Sequence, residues 1–190
     1  MSASFVALAL SYCMGRATLS LRGAKKRPWL EIRRRETDLT YLNHQLKMLH
    51  RAHDGKLEAV SDVVQTDWFY DDRRIRVHSP DLYRVYELLF FRDERRITPE
   101  ILKIVGKQGL AAMWCDYGSR GKSKMGLRTW GTSDETRIIR DWISEMGYQP
   151  VGGDDLLKRR RVEIADRYAD ELASDLRNLI PRCKLHTLRR

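Results

Sequence analysis

Gly109–Ser119, GLAAMWCDYGS, is an apolar helical run that ends in small residues and opens into a basic, strand-like segment. Ala9–Ser20, ALSYCMGRATLS, echoes it about a hundred residues earlier. Small residues recur at Ala9, Ser11, Ala111 and Ala112, as two helices need in order to approach closely along a shared seam. Read together, the two runs predict an internal duplication with the helices packed side by side. Periodicity alone equally allows two unrelated buried helices.

The flanking residues decide between these readings. RRITPEILKIVGKQ precedes the second run and LRTWGTSDETRIIRDWISEMGY follows it, while the chain closes on NLIPRCKL. In this order the segments resemble the single-chain, two-motif LAGLIDADG homing endonucleases, over nearly the whole length. The resemblance implies an α+β saddle of two pseudo-symmetric halves, with antiparallel sheets and paired central motif helices. The halves are expected at 1–105 and 106–190, forming one compact unit. In that family a catalytic carboxylate stands just before the last glycine of each motif, where it binds divalent metal. Arg16 and Tyr117 occupy those positions here. A guanidinium repels a cation, and a phenol is a poor magnesium ligand. The chain therefore reads as a degenerate member with no catalytic residue, no metal and no cofactor. Asp116, one position early, is the residual candidate, but one residue turns a helical side chain by ~100°.

Lys and Arg number 36 against 26 Asp and Glu, a formal net charge of +10. That balance points to a polyanion, nucleic acid first. Cys13, Cys115 and Cys183 form no CxxC pair, which argues against a zinc site or a disulfide framework and for a reducing, intracellular setting. Phe5–Met14 is apolar but has no basic residue before it and is too short to span a bilayer, so it reads as the first core helix and no membrane partner is expected.

Strands are expected at Thr18–Leu21, Trp29–Arg34, Leu57–Val64, Trp68–His78, Met125–Trp130 and Val162–Ile164. Leu30 and Ile32 alternate with Glu31 and Arg33, and Ile75 and Val77 with Arg74, Arg76 and His78, giving each strand an apolar and a polar face. Such a hairpin can lie in a major groove. Helices are expected from Asp38 or Thr40 to Leu49, over Leu82–Phe91, over Glu135–Met146 capped by Thr132 or Ser133, and from Arg167 to Leu179. Gly152–Asp155 reads as a loop, and Asp71-Asp72 as turn chemistry.

The residues expected to contact DNA are Arg22, Lys25, Lys26, Arg33, Arg35, Arg74 and Arg76, then Arg120, Lys122, Lys124, Arg128, Lys158 and Arg160. The function expected is binding of double-stranded DNA without cleavage, by a regulatory or accessory factor in transcription, replication or mobile-element control. A polymerase is a conceivable protein partner. Two alternatives stand beside it: an RNA-binding helper of intron splicing, and an active endonuclease using magnesium at Asp116.

Overall fold

The computed structural model describes residues 3–55, 57–65, 72–121 and 124–188. Trp68–Asp71 of one expected strand, and Lys122, lie outside them. The chain begins with helix α1 (Ala3–Met14) and the hairpin β1 (Thr18–Arg22) and β2 (Arg27–Arg35). Helix α2 (Leu39–Ala52), strands β3 (Glu58–Val64) and β4 (Asp72–His78) and helix α3 (Leu82–Leu89) follow. A two-residue ladder, β5 (Phe90–Phe91) with β6 (Glu94–Arg95), leads to α4 (Pro99–Tyr117). Then come β7 (Gly118–Arg120), β8 (Lys124–Arg128), α5 (Ser133–Glu145), β9 (Pro150–Val151), α6 (Asp154–Lys158), β10 (Arg161–Ala165) and α7 (Asp166–Arg177), with a closing 3-10 segment at Arg182–Leu188.

The two four-stranded sheets have the same antiparallel plan, β1-β2-β4-β3 and β7-β8-β10-β9. In each, one face packs on helices: α2 and α3 against the first sheet, α5 and α7 against the second. Leu30, Ile32, Ile75 and Val77 point into that packing from the first sheet, and Met125, Leu127, Val162 and Ile164 from the second. Alternation then sends every second residue to the open face. This is an antiparallel sheet covered on one side only.

Helices α1 and α4 pack along one another at the centre, and the core is continuous through them. Gly106 breaks α4 with φ 52°, so a capped first segment, with Thr98 Oγ1 accepting from Ile101 N at 3.4 Å, precedes the motif helix proper. Helix α5 starts on a capping box in which Glu135 N donates to Thr132 Oγ1 and Thr132 N donates to Glu135 Oε2. The other Glu135 oxygen accepts from Ile97 N at 2.7 Å, tying α5 to the segment before α4.

Several expectations are corrected. Gly152–Asp155 is not wholly loop: Asp154 and Asp155 open α6, where acidic residues favour the positive helix end. Phe90 and Phe91 leave the helix and pair with Glu94 and Arg95. Asp38 stands at the start of α2 without capping it, because its carboxylate accepts from Lys184 Nζ at 2.7 Å.

Cys13 and Cys115 lie buried in the motif helices, and burial pushes their thiols up to about 11 and about 12. Cys183 is half-buried. Because the thiolate is the reacting species, only about one part in a thousand of a thiol near 11 reacts at pH 8. Native protein treated with a thiol reagent at pH 8 is expected to label at Cys183 first. Cys13 and Cys115 should label only on unfolding, which peptide mapping will show.

Candidate nucleic-acid interface

Helix α1 ends at Met14, and its last carbonyls are orphans by the geometry of any helix. Two residues from distant segments cap them. Arg95 donates through Nη2 to the Cys13 carbonyl, and Trp130 Nε1 donates to the Met14 carbonyl at 2.8 Å. The Arg95 guanidinium lies 3.5 Å from the centre of the Trp130 ring. A cation at a helix C-terminus also opposes the macrodipole.

Beyond this cap the chain turns at Gly15 and Arg16 over the end of α4. A Cβ built on Gly15 would stand 2.1 Å from Asp116 Oδ2, so only glycine allows this approach. The same oxygen accepts from the Arg16 backbone N–H at 2.8 Å and from Arg34 Nη2 at 3.0 Å. The Asp116 and Arg34 side chains are 3% and 2% exposed. Asp116 is thus turned inward and holds the two motif helices to β2. The helix ends themselves present Arg16, exposed, with its guanidinium 5.5 Å from the centre of the Tyr117 ring.

Around these ends lie Arg16, Arg34 and Arg95, with one carboxylate, Asp116, already engaged. Among the described residues no group of three His, Cys, Asp or Glu side chains converges to hold an ion. A divalent metal does not suit this donor set, which offers a guanidinium, a phenol and a buried, ion-paired carboxylate.

On the open face of the first sheet, β1, β2, β3 and β4 place Arg22, Arg33, Arg35, Arg74 and Arg76 together with Glu31, Asp62 and Asp72. These charges are largely paired. Arg22 Nη2 reaches Glu31 at 2.9 Å and Arg33 Nε reaches Asp72 at 2.7 Å. Arg74 grips Asp62 through both Nε and Nη2, and Arg76 reaches the same carboxylate at 3.2 Å. The Arg74 hydrogen bond, ahead of weaker charge contributions, holds the Asp62 carboxyl below its ordinary value. Asp72, expected as turn chemistry, is an ion-pair partner. Lys25 and Lys26 lie exposed in the β1–β2 turn, and Arg35 is exposed at the end of β2.

In the second sheet Lys124 and Arg128 face the open side. Lys158 is exposed at the end of α6, and Arg160 is exposed in a left-handed turn, φ 54°, leading into β10. Arg120 is the exception: it faces inward, donates to the Leu188 carbonyl at 3.1 Å and pairs with Asp170, and its side chain is 7% exposed. The β7–β8 register explains this, since Arg120 stands opposite Met125 and only Ser119 shares the open face with Gly126. Arg159 and Arg161, part of the basic run Lys158–Arg161 but not among the expected contacts, line a cavity of about 400 Å³ beside Tyr117; Arg34, Arg95 and Trp130 are likewise not among the residues expected at the site. Alternation from Val162 and Ile164 was the available signal for Arg161, and alternation from Leu30 and Ile32 for Arg34.

The fold can now be set beside solved structures. A homing endonuclease, I-WcaI, bound to its DNA recognition sequence superposes with TM-score 0.75 over 100% of this chain and 88% of that one, at 11% identity. The fold is that of the homing endonucleases. I-DmoI in complex with DNA and calcium matches with TM-score 0.60 over 95% of this chain and 93% of its own, at 15% identity. Mesophilic variants of I-DmoI match at 0.57 and 15% identity, over 92% and 96% of the two chains. No protein-family model matches the sequence, and no curated protein matches it. Within that fold α1 and α4 are the helices packed side by side at the centre. No described helix is long and apolar enough to cross a membrane.

Proposed function

We propose that this chain binds double-stranded DNA along the open faces of its two sheets and does not cut it, acting as a regulatory or accessory DNA-binding factor. The observation that carries the second half of this reading is Arg16 set against the Tyr117 ring at the ends of the motif helices, with Asp116 turned away into a buried ion pair. Hydrolysis through two metals needs hard anionic oxygens where the phosphates lie. This site offers positive charge there, which attracts phosphate without activating water. Support for the first half comes from the net charge of +10, the strands whose polar residues share one open face, and the DNA carried by the solved structures of this fold. The three free cysteines suit a reducing compartment.

Supercoiled plasmid incubated with pure protein and magnesium is expected to shift in a gel and stay uncut. Magnesium-dependent nicking that disappears in Asp116→Ala would overturn the uncut half of the reading. Selection from a random duplex pool, with a structured RNA as competitor, tests the other half. Bound duplexes sharing a motif are the expected result, and recovery of the RNA in their place would overturn it.

A further inference from the structure

Four arginines of the first open face are paired, and two beside the second are not. In the first sheet Arg22, Arg33, Arg74 and Arg76 each meet a carboxylate within 3.2 Å. Beside the second sheet, Arg128 at the end of β8 and Arg159 just after α6 meet none among the described residues. They line the cavity of about 400 Å³ bounded by β8, β10 and, at α6, by Leu156. The Arg161 guanidinium folds over Gly126, where a Cβ would come within 2.8 Å of its Nη2. A glycine in mid-strand marks a place where something approaches the sheet closely. The one acid lining the cavity, Glu163, is shared by Lys124 at 2.7 Å and Arg161 at 2.9 Å. Two guanidinium groups are left over, with the Tyr117 and Ser119 side chains beside them.

We infer that the two sheets divide recognition between them: this cavity seats a phosphodiester of the DNA backbone, and the carboxylate-held arginines of the first sheet select sequence. The inference rests on the DNA-binding reading above. A phosphodiester is anionic, fits the guanidinium fork, and with its flanking sugars fits a cavity of this size. A phosphate approaching Arg22, Arg33, Arg74 or Arg76 meets Glu31, Asp72 or Asp62 beside it, so its attraction to these four is largely cancelled. Neutral base edges suffer no such repulsion. They offer acceptors to the arginine N–H groups still free and donors to the carboxylates. Asp62 acts as a positioning residue, because its two-point grip fixes the Arg74 fork before DNA arrives.

The test compares Arg128→Ala with Arg159→Ala combined against Asp62→Asn, using a duplex from the random-pool selection and a scrambled duplex. All three side chains lie on the open surface, and circular dichroism confirms folding. The double cavity variant is expected to shallow the slope of log K against log salt by up to about two units and to weaken both duplexes equally. Asp62→Asn is expected to act in the opposite sense. It should tighten the scrambled duplex several-fold, steepen the slope, and reduce discrimination between duplexes by about ten-fold. Similar effects of the two variants on the slope, or an equal weakening of both duplexes in Asp62→Asn with discrimination intact, would overturn the division while leaving DNA binding standing. Failure of the parent protein to bind any duplex would overturn both. A third arm titrates a free deoxynucleoside monophosphate. Saturable binding lost in the double variant, with the duplex slope unchanged, would assign the cavity to a free nucleotide and defeat the inference.

Discussion

Asp116→Ala is expected to lower unfolding stability by about 3–5 kcal/mol, the range for breaking a buried ion pair from one side. The reason lies in what remains. Arg34 is 2% exposed and faces the Tyr41 ring at 5.1 Å, and without Asp116 it keeps only its bond to the neighbouring Arg33 carbonyl. The Arg16 backbone N–H also loses its acceptor, and with it the tie between the ends of α1 and α4. For a chain of this length the loss corresponds to roughly 6–20 °C in Tm. Denaturant melts should show a lower midpoint at unchanged slope. A control separates charge from packing: Asp116→Leu with Arg34→Met removes both ions and is expected to recover most of the loss. A fall below about 1 kcal/mol in the single variant would show that the pair does not hold the helix ends together.

The same residue sets a pH dependence. Burial raises the Asp116 carboxyl above its ordinary value, with Arg34 and the Arg16 N–H pulling it back. A raised folded-state value means that the folded protein holds this proton more tightly than the unfolded chain. The stability so gained is complete below the unfolded value, about 3.9, and is lost as pH rises through the folded value. The stability advantage of the parent over Asp116→Asn should therefore shrink as pH climbs from that point.

The affinity of the parent protein for duplex DNA is expected to fall about 10³–10⁴-fold between 50 and 200 mM salt. Neutralising roughly six to eight phosphates releases ~0.9 counterion each, a slope of about −5 to −7 in log K against log salt. The formal net charge of +10 supplies enough cations for this count. Ion pairing limits which of them take part, since Arg22, Arg33, Arg74 and Arg76 already face carboxylates. Lys25, Lys26, Arg35, Arg128, Lys158, Arg159 and Arg160 are exposed and make up the balance. Fluorescence anisotropy at four salt concentrations measures the slope. A flat response would remove the electrostatic basis of the DNA-binding reading; a slope near −10 would mean that the first-sheet ion pairs open to phosphate.

Local pattern carried the elements of this fold. The apolar runs with small residues at Ala9, Ser11, Ala111 and Ala112 are legible as close-packed helices, and the alternation of Leu30, Ile32, Ile75 and Val77 with charged neighbours is legible as one-sided strands. Both signals arise within a few residues, because burial on one face imposes the period of the element on the chain. That Arg16 and Tyr117, and not carboxylates, precede the small residues Ala17 and Gly118 is equally a fact of sequence.

What those residues do was decided by partners far away along the chain. Asp116 could be weighed as a metal ligand until Arg34, 82 residues distant, was seen to claim it. Arg120 sits in a basic stretch, yet the β7–β8 register turns it inward to Asp170. Arg33 and Arg74 read as free cations, and only the placement of β3 and β4 beside β2 brings Asp72 and Asp62 within hydrogen-bond reach. The cap on α1 comes from Arg95 and Trp130, which no local rule connects to Cys13 or Met14. Sequence thus determined which faces are apolar and which residues, Arg16 and Tyr117, stand at the ends of the two small-residue helical runs. Tertiary structure alone decided which charges are spent on one another and which stay open to solvent, because charge pairing acts across a few ångströms of space irrespective of separation along the chain.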